Sequence, residues 1–215
     1  MNTFPHAKNF SKTKKKIRVA CVGDSITQGE GSKLTPFFSY PSILQRKVGK
    51  KFSIRNFGKN GATTMYGLPD SYVNHRFYQQ ILDNNPDVII FMFGTNDSKV
   101  GVWQNSHIFT KYYNEILDSF AKLSSNPRII LMTPPKPYKF ERAENYFYFI
   151  RDTIIIDEII PAIQEIAKER NLELIDIYSL TSNHRSWFIY DGIHPAAGGN
   201  RKIANAVVNK LISRE

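Results

Sequence analysis

The chain has 215 residues, of which 41% are hydrophobic and 13% aromatic, and its formal net charge is +10. This length suffices for one substantial hydrophobic core but is short for two, so we expect a single domain. Cys21 is the only cysteine, which excludes an intrachain disulfide and a fold that depends on an oxidising compartment.

The N-terminal segment is basic and polar. Residues 1–16 contain five lysines, which supply half of the formal net charge. We expect residues 1–15 to form a flexible basic tail and residues 16–215 to form the domain. Charge alone is a weak indication of nucleic-acid binding, and no nucleic-acid-binding motif accompanies it, so no nucleic-acid partner is expected.

The distribution of apolar residues bears on membranes and export. The N-terminal segment lacks an apolar stretch long enough for a signal peptide, and no run of about 18 apolar residues occurs elsewhere. The sequence therefore predicts no membrane span and a cytoplasmic location, with export still open if the chain is a processed form.

Apolar runs and helix-length segments alternate along the chain. The runs are nearly continuous, as in strands buried on both faces, and cover residues 16–22, 52–57, 87–93, 128–133 and 172–177. The helix-length segments have apolar residues three and four positions apart and cover about 37–49, 70–84, 105–124, 150–170 and 197–213. This alternation predicts a three-layer α/β/α sandwich around a flavodoxin-like parallel sheet of about five strands, with ligands at the carboxyl ends of the strands.

Small and polar residues follow three of the predicted strands and precede the last helix. They are GDS at 23–25, NFGKNGATT at 56–64, GTND at 94–97 and DGIHP at 191–195. Because the carboxyl ends of parallel strands share one edge of a sheet, we expect these segments to lie close together.

Ser25 has several possible roles. The residues around it match neither a P-loop nor a dinucleotide-binding fingerprint, which leaves a helix N-cap or a nucleophile. In DGIHP, Gly192 permits a tight turn and Pro195 biases His194 away from the α region. Asp191 can then accept from one ring nitrogen of His194 and leave the other as a base, although an isolated Asp-x-x-His is more often a surface pair. Together with Ser25, these residues supply a nucleophile, a base and an orienting carboxylate.

An acyl-transfer site also needs donors for the oxyanion. The candidates are the backbone N–H of Gly61, the side-chain amide of Asn96 and the N–H of Ser25. Ordinary turn roles remain the alternative for Gly61 and Asn96. The other histidines lack zinc-type spacing, so neither a metal nor a cofactor is expected.

The four segments resemble the sequence blocks of the SGNH (GDSL-type) hydrolases, in the family's order and over residues 17–213. The resemblance implies that Ser25 is the nucleophile and the first oxyanion donor, and that Gly61 and Asn96 complete the oxyanion hole. It also implies that His194 is the base and Asp191 its orienting partner. The implied reaction is two-step ester hydrolysis through an acyl-enzyme intermediate.

The stretches GTNDSKVGVWQ and TPPKP resemble branches of this family similar to carbohydrate O-acetylesterases. Candidate substrate contacts are Asp24, Lys99, Trp103 and Tyr138, with core packing as the alternative for Trp103 and simple solvation for Lys99. A lysophospholipase or thioesterase is a competing prediction, because the aromatic residues at 146–149 could line an elongated apolar groove. Aromatic residues of the 133–150 loop could also line a substrate cleft, with packing of the loop on the sheet as the alternative; these are Tyr138, Phe140, Tyr146, Phe147 and Tyr148. A sugar-binding module on an inactive hydrolase scaffold is the non-enzyme alternative. The 133–150 loop could equally be a lid or a dimer contact, so the sequence predicts no oligomeric state.

Overall fold

The computed structural model describes residues 15–31, 37–139 and 149–213. Phe140, Tyr146, Phe147 and Tyr148 lie outside the described residues, as does nearly all of the basic tail. The five strands are β1 (Ile17–Gly23), β2 (Phe52–Gly58), β3 (Val88–Met92), β4 (Arg128–Met132) and β5 (Glu173–Ile175). All neighbouring pairs are parallel, in the order β2-β1-β3-β4-β5. The predicted flavodoxin-like parallel sheet is therefore confirmed.

The helices follow the strands as expected, with some additions. They are α1 (Ser25–Gln28), α2 (Tyr40–Val48), α3 (Arg76–Asn84), α4 (Ser106–Ala121), α5 (Asp152–Ile154), α6 (Ile160–Glu169), α7 (Ile177–Thr181) and α8 (Ala197–Ile212). A π-helical segment, Ile155–Ile159, joins α5 to α6, and 3₁₀ turns cover Gly49–Lys51, Tyr72–Asn74 and Arg185–Trp187. Within these helices, none is both long and apolar enough to cross a bilayer.

The helix predicted over residues 70–84 begins only at Arg76, so the prediction was wrong for residues 70–75. Residues Thr63 and Ser71 form an isolated parallel bridge, in which the Thr63 N–H bonds to the Asp70 carbonyl and the Tyr72 N–H to the Thr63 carbonyl. The backbone of residues 70–72 is thus bonded to the loop after β2, and only the 3₁₀ turn Tyr72–Asn74 precedes α3. The short helices α1 and α7 were not predicted, because four or five residues are too few to show a helical period.

Alternating residues of the central strands point to opposite faces of the sheet. One face packs on α3, α4 and α6, with Ile89 and Phe91 of β3 against Tyr113, Phe120 and Ile163. The other face packs on α2 and α8, where Ile90 and Met92 of β3 share a cluster with Leu44 and Val207. Two cores on one sheet give the predicted three-layer sandwich.

The strand order places β1 between β2 and β3. In the register of the sheet, Gly23 at the end of β1 pairs with Gly58 of β2 on one side and with Met92 of β3 on the other. The segments that follow these three strands therefore leave the sheet side by side. In doubly wound sheets this edge, near the point where the strand order reverses, is where ligands bind.

Ion pairs fasten the opposite edge of the sheet. Arg128 at the start of β4 makes two hydrogen bonds to the Glu173 carboxylate, at 2.8 and 2.9 Å. The same guanidinium donates to the carbonyls of Lys210 and Leu211, the last turn of α8. This cluster holds β4, β5 and α8 together at the edge remote from the strand exits.

Phe91→Ala should lower the free energy of unfolding by about 3–5 kcal/mol, because it removes a ring and leaves a cavity. Phe91 is fully buried, and its ring lies 4.9 Å from those of Phe93 and Tyr113. Urea unfolding followed by circular dichroism measures the loss. Phe37→Ala is the control, since Phe37 is 65% exposed and its replacement should change stability by less than about 0.5 kcal/mol. Equal effects of the two substitutions would contradict the core assignment.

Candidate active site

Ser25 stands at the first position of α1, immediately after β1. The N-cap of this helix is Asp24, whose carboxylate accepts the N–H of Ile26 at 2.9 Å. The alternative interpretation of Ser25 as the N-cap is therefore wrong. The Ser25 hydroxyl is left for a different contact, in a side chain that is almost wholly buried.

The position of α1 depends on Gly58, at the end of the neighbouring strand β2. A Cβ added to Gly58 at the end of β2 would lie 2.1 Å from the backbone nitrogen of Gln28. From the same strand, Asn56 donates its side-chain amide to the carbonyls of Thr27 and Gln28, which end α1 without helical partners. These contacts press α1 against β2 and determine where Ser25 stands.

Hydrogen bonds join Asp191 to His194 within one turn and join His194 to Ser25. One oxygen of Asp191 accepts the N–H groups of Ile193 and His194, at 2.9 and 3.0 Å. The other lies 2.6 Å from His194 Nδ1, and His194 Nε2 lies 2.9 Å from Ser25 Oγ. The chain of contacts from carboxylate to imidazole to hydroxyl is continuous and buried.

The ionisation of Asp191 fits this arrangement. Burial by itself would raise the pKa of Asp191, but hydrogen bonds from the ring and backbone of His194 and from the Ile193 N–H outweigh it and lower the pKa. A carboxylate that stays charged favours the tautomer of His194 with the proton on Nδ1. Nε2 is then the acceptor for the hydroxyl proton of Ser25.

Two of the oxyanion candidates, Gly61 and Asn96, lie on the loops after β2 and β3. Asn96 is buried and donates one amide hydrogen to the carbonyl of Ala62 at 3.1 Å. Since a side-chain amide has two hydrogens, the second is the one that an oxyanion would take. Gly61, next to Ala62, has φ of 78°, a left-handed conformation that favours glycine. The structure thus places Asn96 against the residue that follows Gly61.

Two buried polar residues near the site were not among the predicted site residues. Asn200 of α8 donates to the carbonyl of Pro195 at 2.7 Å and accepts from the N–H of Tyr40 at 3.0 Å, which ties the Asp191–His194 turn to α2. Asp97 is fully buried beside Asn96. The available signal for Asn200 was an asparagine on the otherwise small and apolar face of α8, which sequence analysis did not use.

Two of the candidate substrate contacts have structural partners. The Trp103 indole is half-buried against the core with its ring 5.8 Å from that of Phe109, which favours the packing interpretation. The Tyr138 hydroxyl donates to the Thr181 carbonyl and accepts the N–H of His184. These contacts assign both side chains a role in packing, and substrate binding by either stays a prediction.

Lys99 and Asp24 belong to one electrostatic cluster beside the serine. Burial lowers the pKa of Lys99, against the attraction of Asp70, Asp24 and Asp97. Burial also raises the pKa of Asp24 to about 7, although the Ile26 N–H opposes the shift. Substrate contact by Lys99 or Asp24 remains a prediction, while the capping role of Asp24 is visible in its geometry. Among the described residues, no group of three or more His, Cys, Asp or Glu side chains is arranged to hold a metal ion.

The raised pKa of Asp24 predicts a pH-dependent stability. Between its ordinary value of 3.8 and about 7, the folded protein holds a proton on Asp24 that the unfolded chain has lost. The contribution of Asp24 to the unfolding free energy therefore falls as the pH rises through this window and levels off above it. Asp24→Asn keeps an acceptor for the cap, so the difference in stability, variant minus parent, should increase from pH 4 to 7. Urea unfolding at a series of pH values measures it, and a difference that does not change with pH would contradict the assignment.

Known proteins share both the sequence pattern and the fold. The model of the GDSL-like Lipase/Acylhydrolase family matches residues 21–202. The chain is 32% identical over 208 residues to an acetylxylan esterase of Xylanibacter ruminicola, covering 89% of this chain and 42% of that protein. It is 24% identical over 158 residues to the O-acetyltransferase OatA of Staphylococcus aureus, covering 67% of this chain and 22% of OatA. The chain thus spans less than half the length of these curated relatives.

Solved structures agree on the fold. A carbohydrate acetylesterase family member from Sinorhizobium meliloti superimposes with a TM-score of 0.76 at 21% identity, covering 92% of this chain and 97% of the other. A lipase/acylhydrolase from Enterococcus faecalis gives 0.74 at 22% identity, covering 92% and 96%. The family match over residues 21–202 confirms the predicted resemblance: the chain belongs to the GDSL-like lipase/acylhydrolase family.

Proposed function

We propose that this chain is a serine esterase that removes O-acetyl groups from a carbohydrate through an acyl-enzyme intermediate. The observation that carries the proposal is the continuous buried contact from Asp191 through His194 to Ser25. A protein that only binds sugar has no need of a base aligned on a serine hydroxyl, which argues against the binding-module alternative.

In the first step, His194 Nε2 takes the proton of Ser25 as the hydroxyl oxygen attacks the acyl carbon. The tetrahedral intermediate collapses when the imidazolium donates that proton to the leaving alcohol oxygen, and the acyl group stays on Ser25. In the second step, His194 takes a proton from water, which attacks the acyl carbon. The acid leaves and the proton returns to Ser25.

Asp191 acts on His194 and not on the substrate. Its lowered pKa keeps the carboxylate charged, so it stabilises the imidazolium that forms during both steps. The two backbone N–H groups that bond its other oxygen hold the carboxylate in place while the ring changes charge.

Three donors would hold the negative oxygen of each tetrahedral intermediate: the N–H groups of Ser25 and Gly61 and the side-chain amide of Asn96. They start from the exits of three neighbouring strands, so they converge without any rearrangement of the sheet. Fixed donors stabilise a charge that develops only in the transition state, which is why such groups act on kcat.

The preference for an acetylated carbohydrate has two supports. Relatives named as an acetylxylan esterase and an O-acetyltransferase both handle acetyl groups by name. A cavity of about 70 Å³ lies beside Gly61, and its lining combines apolar surface with the polar residues Lys59, Asn60, Asp70, Ser71, Asn74 and His75. These polar side chains offer hydrogen-bond partners for the hydroxyl groups of a sugar, which a long acyl chain would leave unused. Activity on long acyl chains, as in a lysophospholipase or thioesterase, is the competing proposal.

Product release from a substrate panel tests the proposal. The panel comprises acetylated xylo-oligosaccharides and other acetylated sugars, short and long p-nitrophenyl esters, acyl-CoA and lysophospholipid. We expect acetate release that is fastest on the sugars and absent in Ser25→Ala, while His107→Ala, an exposed histidine on α4, keeps full activity. A preference for long acyl chains would transfer the assignment to the competing activity. Absence of release from every substrate by the folded protein would overturn the esterase proposal.

Asn96→Ala should lower kcat by about 10²-fold or more and change KM little, because the lost amide acts on the oxyanion and not on the bound ester. Asn209→Ala is the control, since Asn209 is exposed near the end of α8. Steady-state rates with p-nitrophenyl acetate give both constants. Retention of most of the kcat by Asn96→Ala would remove Asn96 from the oxyanion hole.

A further inference from the structure

We propose that Asp97 is a positioning residue of the oxyanion hole, whose carboxylate fastens the loop that carries Gly61 to the loop that carries Asn96. The inference rests on the proposed function, because it concerns the same site. It assigns no contact between Asp97 and the substrate.

The carboxylate of Asp97 bonds to both loops at once. One oxygen accepts the backbone N–H and the hydroxyl of Thr64, each at 2.7 Å. The other oxygen accepts the backbone N–H of Gly94 at 3.1 Å. Thr64 and Asp97 are fully buried, so water does not compete for these bonds. Three hydrogen bonds to one carboxyl group, two of them short, make a strong and directional link.

The link joins two strands that are not neighbours. Thr64 follows β2 and Gly94 follows β3, whereas β1 lies between these strands in the sheet. No backbone ladder therefore joins β2 directly to β3. The bonds made by the Asp97 carboxylate therefore join loops on either side of β1, the strand that Ser25 follows.

A second bond beside the first fixes the donors themselves. Asn96, which precedes Asp97, donates its amide to the carbonyl of Ala62, which follows Gly61. The loops are thus joined at two adjacent points, and a shift at Asp97 would move the Asn96 amide and the Gly61 N–H relative to each other. Oxyanion donors are effective only over a narrow range of positions, so a small displacement would be costly.

A neutral replacement of Asp97 distinguishes a positioning role from a purely electrostatic effect. A buried carboxylate near the site repels a developing oxyanion, and burial raises the pKa of Asp97 despite the Thr64 and Gly94 bonds. On electrostatics alone, replacement by a neutral residue would increase kcat. Asparagine has the same shape but a single acceptor oxygen, so its amide group would face an N–H donor and open the link on one side. A positioning role therefore predicts a lower kcat for Asp97→Asn, whereas electrostatics alone predicts a higher one.

The test compares Asp97→Asn with two substitutions of its partner, using p-nitrophenyl acetate. We expect Asp97→Asn to lower kcat by about 10–100-fold and to change KM by less than about threefold. Thr64→Val, which removes the hydroxyl bond and keeps the N–H bond, should have a smaller effect of the same kind. Thr64→Ser, which keeps both bonds, should stay within about twofold of the parent. An unchanged or increased kcat in Asp97→Asn would overturn the proposal.

A double-mutant comparison separates positioning from general loss of stability. If Asp97 acts through the donors, Asn96→Ala with Asp97→Asn should be little slower than Asn96→Ala alone. Losses that multiply would indicate a separate structural effect and contradict the proposal. Glu173→Gln serves as the control, because it weakens a half-buried ion pair at the far edge of the sheet and should leave kcat unchanged.

Amide hydrogen exchange tests the link without any substrate. Because asparagine keeps one acceptor oxygen, the N–H group on the side that loses its bond, Thr64 or Gly94, should exchange at least about tenfold faster in Asp97→Asn than in the parent. Unchanged exchange at both amides would overturn the link whatever the kinetics show. If the parent protein hydrolyses no ester, the proposed function fails, and the exchange measurement still decides whether Asp97 joins the two loops.

Discussion

The structure depends on the convergence of three strand exits at one edge of a parallel sheet. Gly23, Gly58 and Met92 lie side by side in the register of β1, β2 and β3, so the loops that follow them start within reach of one another. Gly58 lets α1 sit directly on β2, which a larger residue would prevent. The apolar clusters on the two faces of the sheet hold this edge rigid, and polar loop residues add the chemistry to it.

Buried carboxylates organise the site, and their surroundings differ. Asp191 meets the ring and backbone of His194 and has a lowered pKa, as a partner of a developing imidazolium should. Burial dominates at Asp24 and Asp97, whose pKa values are raised. Asp24 holds the first turn of the helix that carries Ser25, and Asp97 bonds to two loops. Residues of one chemical type thus do different work because their donors and their depth of burial differ.

The family match and the geometry support each other at different levels. The family match over residues 21–202 places the chain among the acylhydrolases. The hydrogen bonds from Ser25 to His194 and from His194 to Asp191 then support the proposal for how such a reaction would proceed in this chain. The proposed substrate is a separate question, to which the cavity beside Gly61 and the names of the relatives contribute.

The sequence by itself determined the sheet, its layers and the residues that gather at its edge, because buried parallel strands are nearly continuous apolar runs and the polar segments that follow them stand out. Local spacing also predicted the Asp191–His194 pair, since a three-residue turn decides that contact. Only the tertiary structure decided that Asp24 and not Ser25 caps α1, and that residues 70–72 bond to the loop after β2. It also decided that Asn200 bonds to the Asp191–His194 turn and that Asp97 bonds to Thr64. Those outcomes depend on contacts between residues far apart in the chain, and for such contacts a single sequence carries no period or spacing to read.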